Sequence, residues 1–183
     1  MPDHEQRPPH VRAATAADAA PIGAVQLRAW RAGYAERLPA GALAGLTADG
    51  LAGRWRDAVT APPSPAHRVL VAVDGTEVAG FAALAPAADP DSGPHVGELL
   101  ILAIDPAAGR RGHGSRLLNA AVDHLHGDGC TLAVSWLLAG DDALRGFLTA
   151  AGWAADGAWR ELDAGAGATI KQIRMHTAIG PEP

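Results

Sequence analysis

Between Ile104 and Leu117 the chain reads Asp105-Pro106-Ala107-Ala108-Gly109-Arg110-Arg111-Gly112-His113-Gly114-Ser115-Arg116. Two arginines and two glycines stand between an apolar run and an apolar stripe. A helix that starts near Gly112 to Ser115 leaves its first backbone N–H groups unpaired, and these, with the positive helix end, attract anions. Gly112 and Gly114 carry no side chain, so a phosphate can approach the backbone. Arg110 and Arg111 add charge and bidentate donors. The chemistry offered is a phosphate or pyrophosphate cradle; a plain tight turn also uses G-x-G.

A second candidate stands just upstream. Glu98 is the one charged residue in the run Val96 to Ile104. A carboxylate buried there has a raised pKa and is suited to take a proton; facing solvent or paired with an arginine, it would be structural. His95 is the weaker alternative base. Tyr34, the single tyrosine, is a candidate substrate contact or proton donor, and Trp30, Tyr34 and Trp55 together could wall an apolar pocket or, for the tryptophans, pack the core. Cys130, the single cysteine, opens an apolar strand and reads as a buried structural residue.

Several elements must position these residues. Val11 to Ala13 reads as a short first strand, and Thr15 caps a helix spanning Asp18 to Ala32, with Ile22, Val25, Leu27 and Trp30 near helical spacing. Pro39 to Thr60 is a second, broken helical region. The period then changes. His67 to Val73 and Glu77 to Leu84 are strands joined by Asp74-Gly75-Thr76, a hairpin signal. After a turn-rich loop, Val96 to Ile104 reads as a central strand. Ser115 to His126 is an amphipathic helix with Leu117, Leu118, Ala121, Val122 and Leu125 on its stripe. Thr131 to Leu137 is a strand, Asp142 to Ala151 a helix ended by Gly152, and Trp153 to Leu162 and Ile170 to Ile179 are closing strands. Hairpins beside strand–helix–strand units give an α/β chain (α+β in the sense of a mixed sheet), not an alternating Rossmann pattern.

The 183 residues match one ordinary domain over 11–180 behind a flexible tail, 1–10. At 48% hydrophobic and 19% charged, the chain can bury a core. The net charge of −5 argues against a broad nucleic-acid footprint. One cysteine permits no intramolecular disulfide and no cysteine zinc site, and no metal is implied. The N-terminus carries no signal-peptide core and no apolar stretch nears ~20 residues. The expected setting is the cytoplasm, with no membrane contact.

Known phosphate cradles narrow the choice. A P-loop needs G-x-x-x-x-G-K-[ST], and no lysine occurs here. A Rossmann turn needs a third glycine where Leu117 stands. The stretch instead resembles motif A of the GNAT acetyltransferase superfamily: a strand ending in V-D-P-like residues, here Ile104-Asp105-Pro106, then Q/R-x-x-G-x-G/A, then an apolar helix. Two further segments resemble the family, Val11 to Thr15 with Asp18-Ala19 at the start, and Arg145-Gly146-Phe147-Leu148 through Ala151-Gly152-Trp153 and Asp156-Gly157 near the end. The likeness runs in order from about residue 11 to 179.

That resemblance implies a GNAT fold, with a central mixed, mostly antiparallel sheet flanked by helices. It implies acetyl-CoA as co-substrate and acetyl transfer to a primary amine of a small molecule or an exposed amino group. The amides of Arg110, Arg111, Gly112, His113, Gly114 and Ser115 are expected to hold the pyrophosphate. The backbone of Leu102, Ala103 and Ile104 is expected to pair with the pantetheine arm along an edge where two strands splay, and an N–H there to serve as oxyanion donor. Glu98 is the expected base, directly or through water; Trp30 and Tyr34 fall on the acceptor side. A homodimer through late strands or a helix face stays an open expectation.

Three positions depart from the family pattern. The Q/R position is Gly109. The tyrosine that follows phenylalanine, the family's usual acid for the thiolate, is Leu148. The asparagine before that helix is Asp141. The departures keep a second reading open, a CoA-binding module that acts as sensor or scaffold without turnover. A third is a nucleotide-binding protein with an anion-binding turn. Polyamine, aminoglycoside, amino-acid and protein N-terminus acceptors all remain open.

Overall fold

The fold is described from a computed structural model, which covers residues 8–39, 41–165 and 167–180. Most of the expected tail, residues 1–7, lies outside the described residues. Among the described residues seven strands and four α-helices follow in order: β1 (His10–Ala13), α1 (Ala19–Tyr34), α2 (Ala48–Thr60), β2 (Arg68–Asp74), β3 (Glu77–Pro86), β4 (Val96–Ile104), α3 (His113–Gly127), β5 (Leu132–Leu138), α4 (Asp142–Ala150), β6 (Ala154–Gly165) and β7 (Ala168–Ala178). The strands form one sheet in the order β1-β2-β3-β4-β5-β7-β6. Every neighbouring pair is antiparallel except β4 and β5, which the α3 crossover makes parallel.

Alternation along the strands supplies two cores. Leu70, Ala82, Leu84, Leu99, Ala133 and Leu137 face Leu117, Leu118, Ala121 and Leu125 of α3 and Leu148 of α4. Val69, Val71, Phe81, Ala83 and Ala103 face Ile22 and Val25 of α1, with Trp55 of α2 packed against them. A sheet covered on both faces explains why β2 to β4 read as nearly unbroken apolar runs.

The start of α1 is fixed by a small polar knot. Asp18 accepts from the Thr15 amide at 2.7 Å and hydroxyl at 2.8 Å, and Arg12 grips it bidentately at 2.7 and 2.9 Å. The broken region resolves into turns and then α2, whose first turn is capped by Thr47 accepting from Gly50 N. Some boundaries move. The helix expected from Ser115 begins at His113, and the helix expected to end at Ala32 runs on to Tyr34. Trp153 lies before β6 and is buried in the core, whereas Trp159 on β6 is exposed.

Two features of β4 shape the site. Its register on β3 slips between Ala83↔Ile101 and Leu84↔Leu99, which leaves Leu100 as a bulge residue, 49% exposed. Its pairing with β5 ends at Glu98↔Val134. Beyond that point the two strands part.

Candidate functional site

The cradle is built as its residue types require. Asp105 accepts from the Ala107 amide at 3.1 Å, capping a single 3-10 turn, Pro106–Ala108, and receives Arg28 of α1 through Nε at 3.1 Å. That grip holds the Asp105 carboxyl below the usual carboxylate range. Two left-handed residues follow, Arg110 at φ 61° and Gly112 at φ 79°. The second is free for glycine; the first costs an arginine ~1–2 kcal/mol. Gly112 is the N-cap of α3, so the first amides of α3 open from this loop. A Cβ on Gly112 would stand 3.1 Å from Arg116 Nη1, and one on Gly114 3.4 Å from the Phe147 ring.

The side chains divide differently from expectation. Arg111 turns back to Asp74, at 3.6 Å, and so leaves the cradle's floor to the backbone. The His113 imidazole is 1% exposed and lies 3.4 Å from the same Asp74 oxygen, so His113 can serve an anion through its amide and not its ring. Arg110 forms no ion pair among the described residues. Arg116, absent from the sequence-based candidates, donates to the Arg111 carbonyl at 2.9 Å and lies over Gly112. It was legible only as a residue of the helix's polar face.

From the cradle, the open edge of β4 leads inward. Asp105 N donates to Ala79 O on β3. Strand alternation therefore turns the N–H groups of Leu102 and Ile104 to the other edge, where β5 has parted. Ala103 shares the backbone but points its peptide groups to β3. Ser135 Oγ donates to Leu99 O at 2.8 Å, closing the fork of the opening. A cavity of about 490 Å³ fills it, lined by Leu99–Ile104, Ser135–Leu138, Asp141 and Leu144 on one side and by Trp30, Tyr34 and Arg37 on the other. Trp30 also walls a smaller cavity of about 250 Å³ beside Trp55. Trp55 itself stays out of the larger one, donating to Gln26 Oε1 at 2.6 Å and standing edge-on to Phe81.

Glu98 is buried, 7% exposed, and its carboxyl is pushed above the ordinary range, first by burial and then by the nearby Asp89 charge; Arg160 and the Ala88 amide oppose this. It does not line the cavity. Glu98 and its partner Val134 stand two residues before Leu100 and Trp136, which do. The carboxylate thus sits just upstream of the residues that line the cavity. The wall is braced by charges that sequence reasoning missed. Asp89 accepts from Trp136 Nε1 at 3.0 Å, Arg160 lies 4.2 Å from the centre of the Trp136 ring, and Arg174 joins Asp89, Asp91 and Asp156. These pairs span as many as 85 residues, and no local pattern announces them.

The remaining departures have clear places. Leu148 is fully buried in the α3/α4 core. Asp141 caps α4 by accepting from Leu144 N at 3.0 Å and accepts from the Tyr34 hydroxyl at 2.8 Å. Gly109 takes an extended conformation after the 3-10 turn. Cys130 is buried, and burial pushes its thiol up.

A glycine-lined helix N-terminus is thus joined by a parted β4–β5 edge to a cavity. The acetyltransferase (GNAT) family model matches residues 44–153, and the chain belongs to that family. Among solved structures it is similar to the PaiA N-acetyltransferase from Thermoplasma acidophilum in complex with coenzyme A (16% identity, TM-score 0.70, covering 94% of this chain and 99% of that one). It is also similar to an N-acetyltransferase from Staphylococcus aureus Mu50 (15% identity, TM-score 0.72, 94% and 99%) and to the ribosomal-protein-S18-alanine N-acetyltransferase from Escherichia coli (15%, 0.67, 96% and 96%). No curated protein matches the chain. Among the described residues, no helix is long and apolar enough to cross a membrane.

Proposed function

We propose that the protein is an acetyl-CoA-dependent N-acetyltransferase acting on a primary amine. The observation that carries the reading is the edge left where β4 and β5 part, which runs from the α3 amides into the cavity. In this reading the amides from Arg110 to Ser115 hold the pyrophosphate, with Arg110 and Arg116 supplying charge. The outward N–H groups of Leu102 and Ile104 pair with the pantetheine arm as an added strand would. An N–H on this edge also receives the developing oxyanion, worth several kcal/mol in a dry site. The amine lies against Trp30 and Tyr34. Glu98 takes the proton that frees the amine's lone pair, through solvent, and burial, which pushes its carboxyl up, makes it a stronger base than a free carboxylate.

One observation favours a second reading. The position of the family's usual acid is a leucine with no exposure, so this helix donates no proton to the thiolate. A thiol pKa near ~8.5 makes that tolerable, but a module that binds CoA and does not turn it over would look the same. Release of CoA thiol against a panel of primary amines separates the two. Acceptor-dependent release supports the enzyme. Binding without release, across amines and acyl chain lengths, supports the sensor or scaffold.

A further inference from the structure

One arrangement on the cavity wall has no task in the scheme above. Tyr34, the chain's single tyrosine, is the last residue of α1, and its hydroxyl donates to Asp141 Oδ2 at 2.8 Å. Asp141 is 6% exposed, and its other oxygen accepts from Leu144 N. Among the described residues no cationic side chain pairs with it. A buried carboxylate without a countercharge is costly to keep for packing alone. Asparagine would cap α4 as well.

The direction of the Tyr34–Asp141 bond decides what the phenol can do. An ionised carboxylate only accepts, so the phenolic proton is committed to Asp141 and the oxygen's lone pairs are what Tyr34 can offer the cavity. Giving that proton away would leave a phenolate beside a carboxylate. Burial, and then Asp141, hold the Tyr34 hydroxyl well above its ordinary value, against the nearby charge of Arg37, which lowers it. In the resting arrangement, therefore, Tyr34 is fitted to receive a hydrogen bond and hand its own proton to Asp141, and it can donate into the cavity only once Asp141 has taken a proton to return.

Building on the N-acetyltransferase reading, we propose that Tyr34 and Asp141 form a two-bond relay between the attacking nitrogen and the leaving sulfur. An ammonium acceptor sheds two protons. The first frees the lone pair and goes to solvent by way of Glu98. The second leaves nitrogen as the N–C bond forms: it passes to Tyr34 Oη while the phenolic proton passes to Asp141 Oδ2. When the C–S bond breaks, the same two bonds run in reverse and deliver that proton to the thiolate. The products are the acetamide and the CoA thiol, and both side chains end as they began. The relay gives the leaving group a proton that Leu148 cannot supply.

Two conservative variants test it. Tyr34→Phe removes one oxygen. Asp141→Asn keeps one accepting oxygen for the cap on α4, turns an amide N–H donor toward the tyrosine in place of Oδ2, and cannot hold the proton. Each is expected to melt within a few degrees of wild type, to keep its acetyl-CoA-induced shift, and to lose ~10²-fold or more in kcat with KM little changed. A readout without turnover comes from phenolate absorbance, clean because the chain has one tyrosine: Asp141→Asn should let Tyr34 ionise at lower pH. If one variant fails to fold, the other decides. A kcat within threefold of an active wild type in either folded variant, or a phenol titration unmoved by Asp141→Asn, would overturn the relay. A wild type that releases no thiol with any amine would defeat the N-acetyltransferase reading itself, and the relay with it.

Discussion

Replacing Gly112 by aspartate sets the fold's tolerance against the cradle's chemistry, and the two costs can be worked separately. The backbone there is left-handed, φ 79°, so any side chain costs the fold ~1–2 kcal/mol. The new Cβ meets only Arg116 Nη1, at 3.1 Å, the far end of a flexible side chain that can swing out. A carboxylate at a helix N-terminus returns ~0.3–1 kcal/mol. The net loss of about 1 kcal/mol should lower Tm by roughly 2–4 °C for a chain of this size. Binding suffers far more. A negative charge about 4 Å from a phosphate oxygen costs ~4 kcal/mol at the effective dielectric of a protein surface. That is about a thousandfold in Kd. Calorimetric titration of acetyl-CoA into wild type and Gly112→Asp reads the second effect, and a melt without ligand reads the first. A folded variant that keeps its affinity within threefold would refute the placement of the pyrophosphate on this loop.

Other variants probe neighbouring parts. Arg110→Gly should raise Tm slightly, because relief of a left-handed arginine, ~1–2 kcal/mol, is partly offset by the ~0.4–1 kcal/mol of entropy that glycine adds to the unfolded chain, and should weaken acetyl-CoA binding by taking a charge from the cradle; a melt and a titration on one sample check both. Glu98→Gln should lower turnover near neutral pH and remove the acidic limb of the pH–rate profile. The base must be ionised, so wild-type activity falls as pH drops through a value above the usual carboxylate range. A buried carboxyl with a raised pKa weakens the fold once ionised, so the same variant should melt no lower than wild type at pH 7. Asp18 carries the opposite sign. Arg12, with help from Thr15, holds its carboxyl at about 2, against an ordinary 3.8. Its stabilisation is present above the unfolded value and lost as pH falls through the folded one. Asp18→Asn should cost about 2 kcal/mol at pH 7, less where solvent screens the half-exposed Arg12, and the gap should close in melts taken near pH 2.

The strands and helices were legible because each has one period and a marked end. The hairpin at Asp74-Gly75, the stripe of α3 and the cap at Thr15 all declare themselves locally. The glycines and arginines after Asp105 were legible as an anion cradle for the same reason. What failed to show depends on contacts made across the sheet. The bulge at Leu100 lies inside an apolar run that reads as unbroken, and it only appears once β3 is beside β4. Arg111 and His113 looked free for a ligand until folding brought Asp74 of the β2–β3 turn against them. Glu98 announced a buried carboxylate, but its position just upstream of the cavity lining depends on where β5 stops pairing. Tyr34 and Asp141 lie 107 residues apart, and nothing local joins them.

The claim beneath all of this is that the α3 loop and the parted β4–β5 edge hold an acyl-CoA. A thermal melt with and without saturating acetyl-CoA tests it most directly. A ligand that binds only the folded chain, at a hundred times its Kd, adds ~2.7 kcal/mol. At ~2–4 °C per kcal/mol for a chain of this length, Tm should rise by roughly 5–11 °C. No rise with acetyl-CoA or with longer acyl-CoAs would contradict the account.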